Sequence, residues 1–162
     1  MNIRKVARIV LINNANRILL LKYEDKTVFN NEKPNCKPFW VTPGGTLYKN
    51  ESFEEAAKRE LFEETGLKSI EIGKLVWNRV HNLNWKGQDT KLIEKYYITH
   101  TDEMEIKLDN LTSNEKKVYR SHKWWVIEEI CNSNEVFFPE NIGQLLLDII
   151  NENMDSIPIN IK

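Results

Sequence analysis

One helix with a misplaced charge pattern constrains this chain more than any other stretch. Residues 44–67 read GGTLYKNESFEEAAKRELFEETGL, and six glutamates fall between Glu51 and Glu64. Ser52 followed by Glu55 is a capping box, which makes Ser52 the N-cap and starts the helix just after it. Glu54 and Glu55 then occupy the first turn, where the positive end of the helix dipole favours acids. Gly66 reads as the left-handed residue that ends the helix after Thr65. Glu60, Glu63 and Glu64 do not fit so easily. They lie in the last two turns, where the dipole opposes each carboxylate by about 0.3 kcal/mol or more. Their i, i+3, i+4 spacing also stacks them on one face, where like charges repel. Arg59 reaches Glu63 at i+4, but one arginine does not neutralise three acids. Two readings stay open on spacing alone. The face is either a solvated acidic run or a set of hard oxygen ligands gathered for Mg²⁺ or Mn²⁺, whose charge would turn the repulsion into binding.

Pro43-Gly44-Gly45, just ahead of the helix, implies a tight turn at which backbone passes close to something. From Gly45 the chain runs five residues to Glu51, then seven more to Arg59-Glu60-Leu61-Phe62-Glu63-Glu64-Thr65-Gly66-Leu67. That is the pattern G-x5-E-x7-R-E-U-x-E-E-x-G-U (U, bulky aliphatic) with every specified position filled. On these residues the chain resembles the Nudix hydrolases of the MutT-like type. The resemblance implies an enzyme that cleaves a pyrophosphate bond in a nucleoside diphosphate linked to another group, with Mg²⁺ or Mn²⁺ as cofactor. Glu60, Glu63 and Glu64 would be the metal-binding glutamates, and Gly45 would add a backbone carbonyl. Arg59 would support them by holding Glu51 or Glu63 in a forked, charge-assisted pair. The family varies in its general base, which is a box glutamate in some members and a later one in others. Glu94, in LIEKYY, is the outside candidate, as base or as extra ligand. It shares a strand face with Leu92, so it is either an exposed strand acid or directed into a polar site.

Read in order, the chain predicts a hairpin of strands at Val6–Ile12 and Arg17–Lys22 across the turn Asn13-Asn14-Ala15-Asn16. Residues 24–38 are polar and form a loop, and Phe39–Thr42 is a short strand entering the glycine turn. Strands are expected at Ile70–Val80 and Leu92–Thr99, joined by residues 81–90 with a turn at Lys86-Gly87-Gln88-Asp89. Met104–Leu108 alternates weakly like a strand, and Trp124–Ile127 reads as another, with the two tryptophans on opposite faces. Pro139–Asn151 has apolar residues at helical spacing and should pack on the sheet. The fold class is α/β: an α/β/α sandwich with a mixed β-sheet between helices, the architecture the Nudix resemblance also implies. Residues 1–162 are expected to form a single domain carrying the box at 45–67.

Composition narrows the partners. A net charge of −1 and a pI near 6.3 leave no basic footprint for a nucleic-acid polymer; the small nucleotide expected as substrate is what the Nudix resemblance implies. No apolar run approaches the ~20 residues of a membrane span and no signal pattern opens the chain, so a cytoplasmic protein is expected. Cys36 and Cys131 lack paired ligand spacing and read as reduced thiols. His81, His100 and His122 share no ligand spacing and suit surface or core roles. Trp85 is the aromatic best placed to stack on a base, and Arg8, Lys22, Lys37 and Arg79 could each meet a phosphate. ADP-ribose-type members carry a proline where Leu83 stands, and diadenosine-polyphosphate members a tyrosine where Trp85 stands. The expected substrate is therefore a nucleoside triphosphate or related nucleotide, in nucleotide-pool house-cleaning. The alternative is a catalytically silent Nudix-fold nucleotide-binding or regulatory domain, against which the intact box argues. An isomerase of the isopentenyl diphosphate type needs a nucleophilic cysteine in a context neither cysteine has. An exposed sheet edge would either pair in a homodimer or be covered by a loop.

Overall fold

A computed structural model describes residues 1–26, 37–103, 105–108, 110–151 and 157–162, together with the backbone of 28–29. Five strands come first: β1 (Asn2–Asn13), β2 (Arg17–Tyr23), β3 (Val28–Phe29), β4 (Phe39–Val41) and β5 (Gly44–Thr46). Helix α1 (Phe53–Thr65) is followed by the hairpin of β6 (Leu75–Trp85) and β7 (Gln88–Thr101). Then come α2 (Ser113–Val118), β8 (Tyr119–Val126), α3 (Ile127–Asn132), β9 (Val136–Phe138), α4 (Ile142–Ile150) and β10 (Ile159–Ile161).

The described strands join one mixed sheet in the order β10-β6-β7-β1-β2-β4-β9, with β3 on β6, β5 on β1 and β8 on β2. β1 lies parallel to β7 along its whole length, from Asn2↔Thr90 to Asn13↔Thr101. Its other edge is split. β2 meets it at Ile12↔Ile18, whereas β5 takes that edge at Val6, Ala7 and Arg8. The strands part between these contacts, and the Ile9 amide instead donates to the Pro43 carbonyl at 2.8 Å. The parting brings the glycine turn and Arg8 to the same point.

Period-2 alternation gives each face of the sheet its own core. Ala7, Ile9 and Leu11 face α1, where the small Ala56 and Ala57 let the helix lie close, with Leu61 filling the gap. Val10, Ile12, Trp77, Tyr96 and Trp125 face the other way, against Ile142, Leu145 and Leu146 of α4. Each fully buried aliphatic side chain contributes about 1.5–3 kcal/mol. The expected α/β/α sandwich with a mixed sheet is what forms. Helix α1 ends as its sequence predicts: Ser52 and Glu55 complete the capping box, and Gly66 (φ 73°) donates its N–H to the Phe62 carbonyl.

Four expectations about elements need correction. Ile70–Gly73 is not strand: Ile70 and Ile72 alternate because they pack on the α1-side core, not because they pair. Residues 81–90 are largely strand, since β6 runs on to Trp85 and the chain reverses at Lys86 and Gly87 with φ of 52° and 77°. Two left-handed residues between directly paired strands suit the twist of a tight hairpin. Residues 105–108 form no strand, and Met104 lies outside the described residues, as does Cys36. β8 begins earlier, at Tyr119, and Ile127 opens α3 instead of closing the strand. Trp124 and Trp125 do point to opposite faces, one toward each core.

Candidate active site

The box helix presents Glu60 and Glu64 one turn apart on its sheet-facing side, where they are 7% and 3% exposed. Glu60 lies so close over Gly45 that a Cβ there would overlap its carboxylate. The neighbouring Gly44 amide donates to Glu64 Oε2 at 3.2 Å. Gly45 is thus required by the approach of Glu60, and Gly44 by that of the Ala7 carbonyl and Arg8.

A third carboxylate joins them. Glu115 of α2 brings an oxygen to the same spot, so that ligand atoms of Glu60, Glu64 and Glu115 all lie within 4.8 Å of one another. Sequence reasoning missed this residue, although Thr112 followed by Glu115 is the same capping-box signal that located α1. The box forms, with the Glu115 side chain accepting from the Thr112 amide at 3.1 Å and the Thr112 hydroxyl from the Glu115 amide at 3.2 Å. Glu63 is not in the trio. It is half-buried and pairs with Arg59 Nη1 at 3.3 Å.

Arg59 organises the edge of this group. Its Nε and Nη2 hold the two oxygens of Glu51 at 2.7 and 2.9 Å, and Nη1 holds Glu60 at 2.7 Å. Nη2 also donates to the Thr46 carbonyl at 3.1 Å, tying the helix to β5, and the guanidinium stacks 3.7 Å over Tyr48. Arg59 thus pairs with Glu51, Glu60 and Glu63 together, and its hydrogen bonds hold the Glu51 carboxyl below its ordinary range.

The trio is short of positive charge. Burial, then the charges of Glu60 and Glu115, push Glu64 well above the usual carboxylate range, with Arg8 offsetting only part. Burial also raises Glu60, against the pull of Arg59. Three crowded carboxylates, two of them buried and raised, fit a hard divalent cation of the Mg²⁺ or Mn²⁺ kind.

Beside the trio lies a cavity of about 230 Å³. Arg8, Gly44, Gly45, Thr46 and Trp85 line both the cavity and the space in front of Glu60, Glu64 and Glu115, so the two are continuous. Glu94 sits on the cavity floor, 2% exposed. Arg8 Nε donates to its Oε1 at 3.0 Å; Arg79 Nη1, His81 Nε2 and the Tyr96 hydroxyl meet its Oε2 at 3.0, 3.0 and 3.2 Å. Burial alone would raise Glu94, but Arg8, His81 and Arg79 together outweigh it and hold the carboxyl far below its ordinary range. The structure thus puts Glu94 next to the trio, not in it.

Of the phosphate-meeting cations considered from sequence, Arg8 and Arg79 reach the cavity. Lys22 pairs with Glu135 at 3.0 Å, and Lys37 is exposed. Trp85 lines the cavity with the Arg4 guanidinium 3.6 Å over its ring. His81 enters the site through its partner Glu94. The loop expected over 81–90 hid it, because only a strand places Arg79, His81, Leu83 and Trp85 on one face. His122 stacks on Tyr119, and His100 is exposed. Cys131 is an exposed free thiol.

The family model of the NUDIX domain matches residues 2–144. The chain belongs to that family. Among curated proteins, this Nudix chain is 29% identical over 138 residues to an RNA pyrophosphohydrolase of Pelagibacter ubique, covering 80% of each. It is 40% identical over 60 residues to a putative 8-oxo-dGTP diphosphatase of Bacillus subtilis, covering 37% of this chain and 33% of that protein. Among solved structures it resembles a MutT protein of Methanosarcina mazei Go1, with a TM-score of 0.66 at 19% identity over 95% of this chain and 97% of that one. The Nudix fold and family expected from the box are therefore correct. The chain is a hydrolase of phosphoric anhydrides, of the class that acts on pyrophosphate bonds of nucleotide-like substrates. Among the described residues, no helix is long and apolar enough to cross a membrane.

Proposed function

We propose that this Nudix hydrolase cleaves free nucleoside triphosphates in the MutT manner, with Mg²⁺ or Mn²⁺ at the box, as a cytoplasmic house-cleaning enzyme. Residues 1–162 act as one catalytic domain in this reading. The observation that carries it is the convergence of Glu60, Glu64 and Glu115 beside a cavity about the size of one ring system. Glu60, Glu64 and Glu115 hold the metal, with the Gly45 carbonyl beside them and Glu63 at the rim. When bound, the ion neutralises charge on the diphosphate and makes water a better nucleophile. Arg59 keeps Glu51, Glu60 and Glu63 in register. Arg8, at the junction of cavity and trio, meets the phosphate chain.

The attacking water forms a new P–O bond as the bridging P–O bond breaks, and its proton passes to a carboxylate. That carboxylate belongs to the trio or the box, because Arg8, Arg79 and His81 hold Glu94 far below its ordinary range and make it a weak base. Glu94 acts instead as a positioning residue for Arg8 and Arg79. A second reading, hydrolysis at a 5′-triphosphorylated RNA end, is favoured by the name of the Pelagibacter relative and its coverage of both chains.

A hydrolysis screen with Mg²⁺ tests both. It compares wild type with Glu64→Gln on nucleoside triphosphates, oxidised ones included, and on short 5′-triphosphorylated RNA. Cleavage of free nucleotides by wild type alone supports the first reading. Faster turnover of the RNA end overturns it in favour of the second.

A further inference from the structure

The cavity has a one-sided supply of hydrogen-bonding groups. The one carboxylate among its lining residues is Glu94, whose Oε2 meets Arg79, His81 and Tyr96 while Oε1 accepts from Arg8, leaving about one of its four lone-pair sites. Thr46 Oγ1 already accepts from Arg4 Nη2 at 2.6 Å. What else remains unused is a set of donors. Arg79 Nη2 and the Nε and Nη1 of Arg4 have no hydrogen-bond partner among the described residues, and the buried indole Nε1 of Trp85 has none either.

Arg79 is also held in place. Its Nε donates to the Lys162 carbonyl at 3.0 Å while Nη1 faces Glu94 and His81, which fixes the direction of the planar group. Three guanidiniums and one carboxylate line the cavity. The rest of its wall includes the apolar Val6, Leu83, Leu92 and Trp85. Pockets for drug-sized ligands run from about 300 Å³ upward, so this cavity of about 230 Å³ suits one flat ring system.

We propose that this cavity selects nucleobases with a carbonyl oxygen where adenine and cytosine carry an amino group. The inference rests on the nucleotide-hydrolase reading of the same site. A carbonyl lone pair facing Arg79 Nη2 gains a charge-assisted hydrogen bond. An amino group in the same place opposes N–H to N–H and leaves both unpaired in a dry pocket, which is how a polar site rejects the wrong ligand.

The test is a pair of near-isosteric comparisons, ITP with ATP and UTP with CTP, on wild type and Arg79→Gln, with Glu64→Gln as the blank. The expected result is a kcat/KM for ITP about tenfold or more above that for ATP, with the same sign for UTP over CTP. Arg79→Gln should bring both ratios close to one, whereas a merely structural loss would lower all four substrates alike and leave the ratios unchanged. Equal rates for ITP and ATP, or unchanged ratios in Arg79→Gln, overturn the proposal. A second arm separates it from the hydrolase reading: calorimetric binding of IMP and AMP to wild-type protein without added metal. If no triphosphate is cleaved, the hydrolase reading falls and this arm decides alone. Tighter IMP supports the selection; equal affinity, or no binding of either, overturns it.

Discussion

Glu64 and Glu94 are buried to nearly the same degree, 3% and 2% exposed, yet the protein treats them in opposite ways. Glu94 has Arg8, Arg79, His81 and Tyr96 around it and is held ionised. Glu64 has one amide hydrogen bond from Gly44 and the repulsion of Glu60 and Glu115, and its carboxyl is pushed well up. Burial costs both ions several kcal/mol; what differs is how the cost is met. At Glu94 it is met within the chain, and the carboxylate is a structural anchor. At Glu64 it is met only in part, by the Gly44 amide and Arg8, which fits a residue that could help hold a cation.

The comparison breaks most visibly at Glu94. Removing one partner of a buried charge network leaves the others uncompensated, at a cost of about 3–5 kcal/mol. Glu94→Gln should therefore lower the urea-unfolding free energy by that much, and a variant as stable as wild type would show that the network carries no net charge coupling. Glu64→Gln should do the reverse. Metal-free stability should hold or rise, because a repelled charge is gone. Turnover with Mg²⁺ should fall by about a hundredfold or more, since loss of supporting groups alone costs up to that much. A Glu64→Gln enzyme with wild-type turnover would remove the trio from the mechanism.

Metal addition sharpens the contrast further. A ligand present at about a hundred times its Kd stabilises the state it binds by about 2.7 kcal/mol. Mg²⁺ should raise the melting temperature of wild type and of Glu94→Gln, but not of Glu64→Gln. An equal rise in all three would place the ion elsewhere.

The two glutamates were not equally legible before the fold was known. Everything about the box helix was local: the cap at Ser52, the stop at Gly66 and the stacked acids at its end are fixed by spacing along one chain segment. Glu64 could be singled out there because its stacking on Glu60 follows from helix spacing alone, although Gly44, Arg8 and Glu115 reach it from distant segments. Glu94 could not, because its partners Arg8, Arg79 and His81 come from two other strands, and the register that joins them, Val6↔Glu94 and Arg79↔Glu94, is tertiary. Glu115 lay between these cases. Its capping box with Thr112 was visible, but nothing local said that a two-turn helix would dock on the box acids. The strand misread over Ile70–Gly73 has the same cause, since alternation reports burial and not pairing.

The smallest and most discriminating effect is in the pH dependence of stability, where the two residues carry opposite signs. The folded pKa of Glu94 lies below its ordinary value of 4.5, so its stabilisation is complete above that pH and is lost as pH falls further. The folded pKa of Glu64 lies above 4.5, so the metal-free native state holds a proton that the unfolded chain releases. Stability then declines as pH rises from the ordinary carboxylate range through the raised one. Urea unfolding of metal-free wild type from about pH 3 to pH 8 should show both limbs, an acid-side loss and a decline toward neutrality. Glu94→Gln should flatten the first and Glu64→Gln the second, and saturating Mg²⁺ should mimic Glu64→Gln on the second limb alone. If Glu64→Gln leaves the neutral limb unchanged, its raised pKa is not what burdens the metal-free fold, and the contrast between the two carboxylates loses its electrostatic basis.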